Sequence, residues 1–191
     1  MPVSFSATKR DVAQIARQKR AERPVYLDTE TTGLERGDEI VEIAIVDDDG
    51  QCLFESLVRP SQPIPAAASR IHHITDEMVK GARPWPILWP VIRPLLVGRL
   101  VVIYNAEFDL RMMQQSHARY KLPWRENLNT LCAMELYARY KGDWDSKRRA
   151  YRFIRLEEAG RLCNINLPNS HRAKDDALLA RALFHYMAEN E

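Results

Sequence analysis

Cysteine is scarce in this chain: Cys52, Cys132 and Cys163 are odd in number, far apart and never in a C-x-x-C pair. That excludes a disulfide framework and a zinc knuckle, and fits a reducing, cytoplasmic compartment. Long apolar runs are missing as well. Leu95 to Tyr104 is interrupted by Gly98 and Arg99 and is too short to cross a bilayer, and the N-terminus carries no apolar signal core. Secretion and a membrane partner are therefore disfavoured. Net charge is only +2, so bulk electrostatics announce no nucleic-acid partner and the local distribution has to carry that information. There is no internal repeat and no low-complexity tract.

What is present suits one globular domain. The chain has 191 residues, 46% apolar and 28% charged. Residues 1–23 read as a basic helical extension, with Thr8 as its cap and Val12, Ile15 and Ala16 as a thin apolar edge. Residues 24–191 form the single main domain.

The organising stretch is VYLDTETTGLERGDEIVE, Val25 to Glu42. Its first residues are β-branched and aromatic, and strand alternation sends Tyr26, Asp28 and Glu30 to one face, with Val25, Leu27 and Thr29 on the other. Two acids share a side, roughly 7 Å apart at the backbone. Held together, such a pair either keeps a proton or takes a hard divalent cation, although a strand end fraying into solvent gives the same letters. Thr31 to Leu34 makes a polar turn, and Ile40, Ile43 and Ile45 mark a returning strand. Asp47 to Gly50 then turns the chain into a third strand, the three aspartates reading as a solvated turn.

Further along, Thr75 is placed to cap a helix. Arg83 to Gly98 has helical spacing, but Pro90 and Pro94 each remove a backbone hydrogen bond, which predicts a kinked or broken helix. Leu100 to Tyr104 reads as a buried parallel strand, and Asn105 is placed to cap a helix on which Asp109 looks back toward the sheet edge. From Lys147 to Arg155, basic residues interleave with Tyr151 and Phe153. That mixture suits a single-stranded nucleic acid and a solvated approach to the next helix equally well. A final helix ends near Glu189, and helical period alone does not choose between Asp175 and Asp176 as its inward acid.

V-Y-L-D-T-E-T-T-G-L with D-E-I-V-E-I-A-I-V resembles the first motif of the DEDD 3′→5′ exonuclease superfamily, the group that includes the proofreading ε subunit of bacterial DNA polymerase III. V-V-I-Y-N-A-E-F-D resembles the second motif, with Tyr104 where many relatives carry His. H-R-A-K-D-D-A-L-L-A, His171 to Ala180, resembles the third motif of the His-containing branch, which on its spacing selects Asp176. S-R-I-H-H-I-T-D-E-M resembles a further segment, with His73 standing where relatives carry Gly.

The resemblance implies an α/β, ribonuclease H-like fold: a mixed five-stranded sheet, an antiparallel meander plus parallel strands, flanked by helices. It implies two Mg²⁺ ions, with Mn²⁺ as substitute, held by Asp28, Glu30, Asp109 and Asp176, and His171 as general base. Thr31, Gly33, Leu34, His72, Asn105 and Phe108 would contact the substrate. The expected activity releases nucleoside 5′-monophosphates from single-stranded DNA 3′ ends. RNA 3′-end trimming and a polymerase-docked proofreading module are the alternatives. The chain ends soon after the last motif, without the long polymerase-binding tail of proofreading subunits, which favours a stand-alone enzyme.

Overall fold

A computed structural model describes residues 9–168 and 170–191. Thr8, read as the first helix's cap, lies outside them. Three strands form the meander: β1 (Val25–Thr31), β2 (Ile40–Val46) and β3 (Cys52–Leu57). β1 pairs antiparallel with β2, and β2 with β3. β4 (Leu100–Ile103) and β5 (Asn129–Cys132) then extend the sheet in parallel, giving the order β3-β2-β1-β4-β5. This is the mixed five-stranded sheet that the motifs imply, and β4 has the unbroken apolar character of a strand covered on both faces.

Alternation along β1 separates two cores. Tyr26 packs with Val102 and Tyr104 against α8 (Ala173–Glu189), α6 (Ala133–Lys141) and α7 (Leu156–Leu162). Val25 and Leu27 pack with Ile103 against α4 (Trp85–Leu96) and α5 (Ala106–Arg119). α1 (Lys9–Ala21) adds Val12 and Ala16 to the first core, beside α8. Two short helices, α2 (Ala66–His72) and α3 (Asp76–Val79), close a smaller apolar cluster over Val41 and Ile74.

Several local expectations are corrected. α4 is continuous from Trp85 to Leu96, so Pro90 and Pro94 do not break it. Both prolines lie on its exposed side, while Trp85, Leu88, Trp89, Ile92 and Leu96 anchor the buried stripe. Thr75 and Asn105 occupy helix N-cap positions, but neither side chain makes a capping hydrogen bond, and Asn105 is left-handed at φ 71°. Asp48 is buried rather than solvated: it accepts from Tyr26 Oη at 2.9 Å and pairs with His185 Nε2 at 2.8 Å. Between α6 and α7 lies a small hairpin, β6 (Trp144–Asp145) with β7 (Ala150–Tyr151), that the residue pattern does not announce.

Candidate active site

The last turn of β1 and the first turn of α8 meet on one face of the sheet. Asp28 and Glu30, both half-buried, converge with buried Asp176, each offering a carboxylate oxygen within 4.8 Å of the other two. Asp175, the residue that periodicity could not rule out, accepts a hydrogen bond from Ser170 Oγ at 2.5 Å instead.

α8 is aimed by a clamp that sequence reasoning missed. Its N-cap residue, Arg172, makes no cap of its own. Glu42, on β2 and 2% exposed, accepts the Ala173 N–H at 2.9 Å and so satisfies an open donor of the helix. The same carboxylate accepts from Arg172 Nε at 3.0 Å and from Arg172 Nη2. The one legible signal was an acid inside the otherwise aliphatic run I-V-E-I-A-I-V.

Asp109 arrives from the other layer. It sits buried in the first turn of α5 and accepts a 2.7 Å hydrogen bond from Thr29 Oγ1, the residue between the two β1 acids. It does not belong to the 4.8 Å trio. Its charge nevertheless reaches Asp28.

Desolvation is the main force on all four acids. It raises Asp28 well above the ordinary carboxylate range, with the charges of Asp109, Glu30, Asp176 and Glu42 adding to it. Glu30 is pushed up to about 8 by burial and by Asp176 and Glu42, Arg172 pulling the other way. Asp176 is raised to about 7 by burial and by Asp175 and Glu42. Asp109 is raised to about 7 by burial, partly offset by the Thr29 hydrogen bond. An all-oxygen set whose members resist ionising together is the donor chemistry that a hard divalent cation fits.

The turn after β1 is held by Asp38, which accepts from Thr32 Oγ1 at 2.8 Å and from the Glu35 N–H at 2.7 Å. At Gly33 a Cβ would meet Asp38 Oδ2 at 2.5 Å, so a side chain there would displace the carboxylate that holds the turn. Thr31 Oγ1 donates to the Gly33 carbonyl, and Leu34 projects 69% exposed beside it. His72 is buried, its Nδ1 accepting from the Ile74 N–H and its Nε2 donating to the Thr31 carbonyl, so it supports the turn from beneath. His73 ends α2 left-handed at φ 60°, a conformation that favours the glycine the resemblance leads one to expect there. Asn105 is exposed, and Phe108 is half-buried with the Arg111 guanidinium 5.5 Å from its ring. His171 is exposed in the loop before α8, left-handed at φ 51°.

Comparison with known proteins agrees with this geometry. The RNase_T family model, described as exonuclease, matches residues 25–184. The chain is 34% identical to the uncharacterized exonuclease CP81 of Escherichia phage 186, over 97% of this chain and 98% of that protein. It is 34% identical to exodeoxyribonuclease 10 of Escherichia coli K12, over 82% of this chain and 64% of that one. A solved structure of exonuclease X in complex with 5′ overhanging duplex DNA superposes with a TM-score of 0.63 at 28% identity, covering 87% of this chain and 92% of that one.

Proposed function

Because the chain belongs to the RNase_T exonuclease family, within the DEDD 3′→5′ superfamily, we propose that it removes nucleoside 5′-monophosphates from the 3′ ends of single-stranded DNA, using two Mg²⁺ ions or Mn²⁺ in their place. One observation carries this reading: three carboxylates, from β1 and from a helix almost 150 residues further on, meet within 4.8 Å on one face. The relatives' names, exodeoxyribonuclease 10 and an exonuclease bound to DNA, favour DNA as the polymer.

Asp28 would serve both ions, Glu30 and Asp176 would complete one site, and Asp109 would support the other. When bound, such ions lower the pKa of water and neutralise charge that builds on the phosphoryl oxygens. His171 accepts the proton of the attacking water at an imidazole nitrogen. The water oxygen would bond to the phosphorus of the terminal nucleotide as the P–O3′ bond breaks; O3′ takes a proton from solvent, so the penultimate nucleotide leaves with a 3′-hydroxyl and the terminal one departs as its 5′-monophosphate. Thr31 and Gly33 offer turn backbone to the terminal nucleotide, and exposed Leu34 offers an apolar edge to its base. Asn105 and Phe108 flank the start of α5, and His72 acts through the Thr31 carbonyl.

The test is a single-stranded DNA oligomer labelled at its 3′ end, given Mg²⁺ or Mn²⁺, beside an RNA oligomer of matched sequence. Mononucleotide release from the DNA, abolished by Asp28→Asn, is expected. No release with either ion, or release from the 5′ end, overturns the reading. Faster trimming of RNA than of DNA reassigns the polymer.

A further inference from the structure

The β6–β7 hairpin has no part in either core. Trp144 pairs with Tyr151 across it, the rings 5.1 Å apart at 76°. Trp144 is 50% exposed and Phe153, just past β7, is 60% exposed. Two large aromatic faces left in water on one short element are costly unless something covers them.

The hairpin's charges are sorted. Asp145 turns inward on the loop, accepting from the N–H groups of Lys147 and Arg148 at 2.9 and 3.1 Å. Arg152 lies between Asp143 and Asp145, at 3.9 and 3.7 Å. Both acids are thus engaged within the hairpin. Lys147, Arg148 and Arg149 are exposed and make no ion pair among the described residues. Beside them, Arg148, Tyr151, Arg152 and Phe153 line a hollow of about 510 Å³.

A tether fixes where this surface stands. Tyr104 Oη donates to the Ile154 carbonyl at 2.6 Å. Tyr104 follows the Leu27–Ile103 register pair by one residue, as Asp28 does on β1, and it faces the core shared with Tyr26 and α8. The hairpin is therefore anchored one strand over from Asp28, on the face where Asp28, Glu30 and Asp176 meet.

We infer that the hairpin is a second nucleic-acid site, which holds the single strand on the 5′ side of the scissile nucleotide. Bases stack on Trp144 and Phe153, and Lys147, Arg148 and Arg149 neutralise the phosphates between them. Stacking with exposed cations is the chemistry by which proteins grip a single strand without reading its sequence. Charge complementarity picks a polyanion as the occupant, and the aromatic faces pick unpaired bases over a duplex. The inference rests on the exonuclease reading of the carboxylate site, and it adds a preference for long substrates that the carboxylates alone do not supply.

The experiment compares kcat/KM for a single-stranded DNA 20-mer with that for a dinucleotide, across a salt series. In K147Q/R148Q/R149Q the ratio of 20-mer to dinucleotide is expected to fall about tenfold or more, and the log–log salt dependence on the 20-mer to become shallower by about 2, at roughly 0.7 per lost phosphate contact. Trp144→Ala and Phe153→Ala are each expected to lower the ratio by about tenfold. An unchanged ratio overturns the proposal, and so does an equal fall on both substrates, which would make the hairpin a structural support only. Wild-type protein that cleaves neither substrate refutes the exonuclease reading instead. In that event, retained 20-mer binding that the triple variant loses still upholds the hairpin site, and absence of binding overturns it.

Discussion

Glu30 and Glu42 are direct cross-strand partners on the same side of β1 and β2. Like charges so placed repel, and Arg172, with the Ala173 N–H beside it, keeps Glu42 from acting as a further bare carboxylate beside the trio. The two halves of this pair are unequally buried, the Glu42 side chain at 2% exposure and Arg172 at 37%. Removing the arginine strands a buried anion, for which the cost is about 3–4 kcal/mol. Removing the glutamate leaves a guanidinium that water can reach, and Gln can still accept the Ala173 N–H, so Glu42→Gln should cost only about 1–2 kcal/mol. For a domain of this size the melting temperature would drop by about 6–16 °C in Arg172→Gln and about 2–8 °C in Glu42→Gln. The double variant removes both the stranded anion and its partner, and is expected to be more stable than Arg172→Gln alone. Thermal and urea unfolding of the three proteins in EDTA decides the matter. Equal losses, or a larger loss in Glu42→Gln, would refute the reasoning.

His171→Asn replaces the imidazole with a residue that tolerates the left-handed backbone at φ 51°. Turnover is expected to fall about 10²- to 10⁴-fold with divalent-ion binding intact, and a near-normal rate removes His171 from the chemistry. Mg²⁺ at about a hundred times its dissociation constant should stabilise the fold by about 2.7 kcal/mol, or about 5–10 °C. That increment should vanish in Asp28→Asn, and its persistence there would separate ion binding from the trio. His185, facing Asp48, Tyr26, Arg181 and Arg20, is held below its ordinary pKa by burial, with the Asp48 hydrogen bond opposing. A depressed folded pKa means that its stabilisation is complete above about pH 6.5 and is lost as pH falls through the folded value. The advantage of wild type over His185→Gln in melting temperature should therefore shrink between about pH 7.5 and about pH 5, and a constant gap would contradict the burial argument.

Local periodicity made the sheet legible. β1 and β2 announce themselves by alternation, β4 by an unbroken apolar run, and Asp28 and Glu30 follow from the two-residue repeat of the strand. What stayed hidden depends on partners far along the chain. Asp48 looks solvated until Tyr26 and His185, 22 and 137 residues away, are folded onto it. Glu42 gains its role from Arg172, 130 residues on. α4 stays continuous through Pro90 and Pro94, which fall on its exposed side, a placement that spacing alone does not reveal. The β6–β7 hairpin has only two residues per strand, too few to show a period.

The choice between Asp175 and Asp176 shows where the deciding physics lies. Both begin the same helical turn, and the apolar stripe of α8 accommodates either. The Glu42 clamp fixes the helix by its first N–H, and Ser170 engages Asp175 from outside, so that Asp176 is the acid rotated onto β1. On the opposite face, Thr29 fixes Asp109 by the side chain that stands between the two strand acids. β1 thus orients acids in both layers through three consecutive residues of alternating direction. Its register against β2 shifts between Glu30 and Thr31, directly beyond the last of them. A one-residue slip of β1 would turn Asp28 and Glu30 toward α5 and leave Asp109 without Thr29, so the register that buries Tyr26 and Leu27 on their proper sides is the same one that assembles the site.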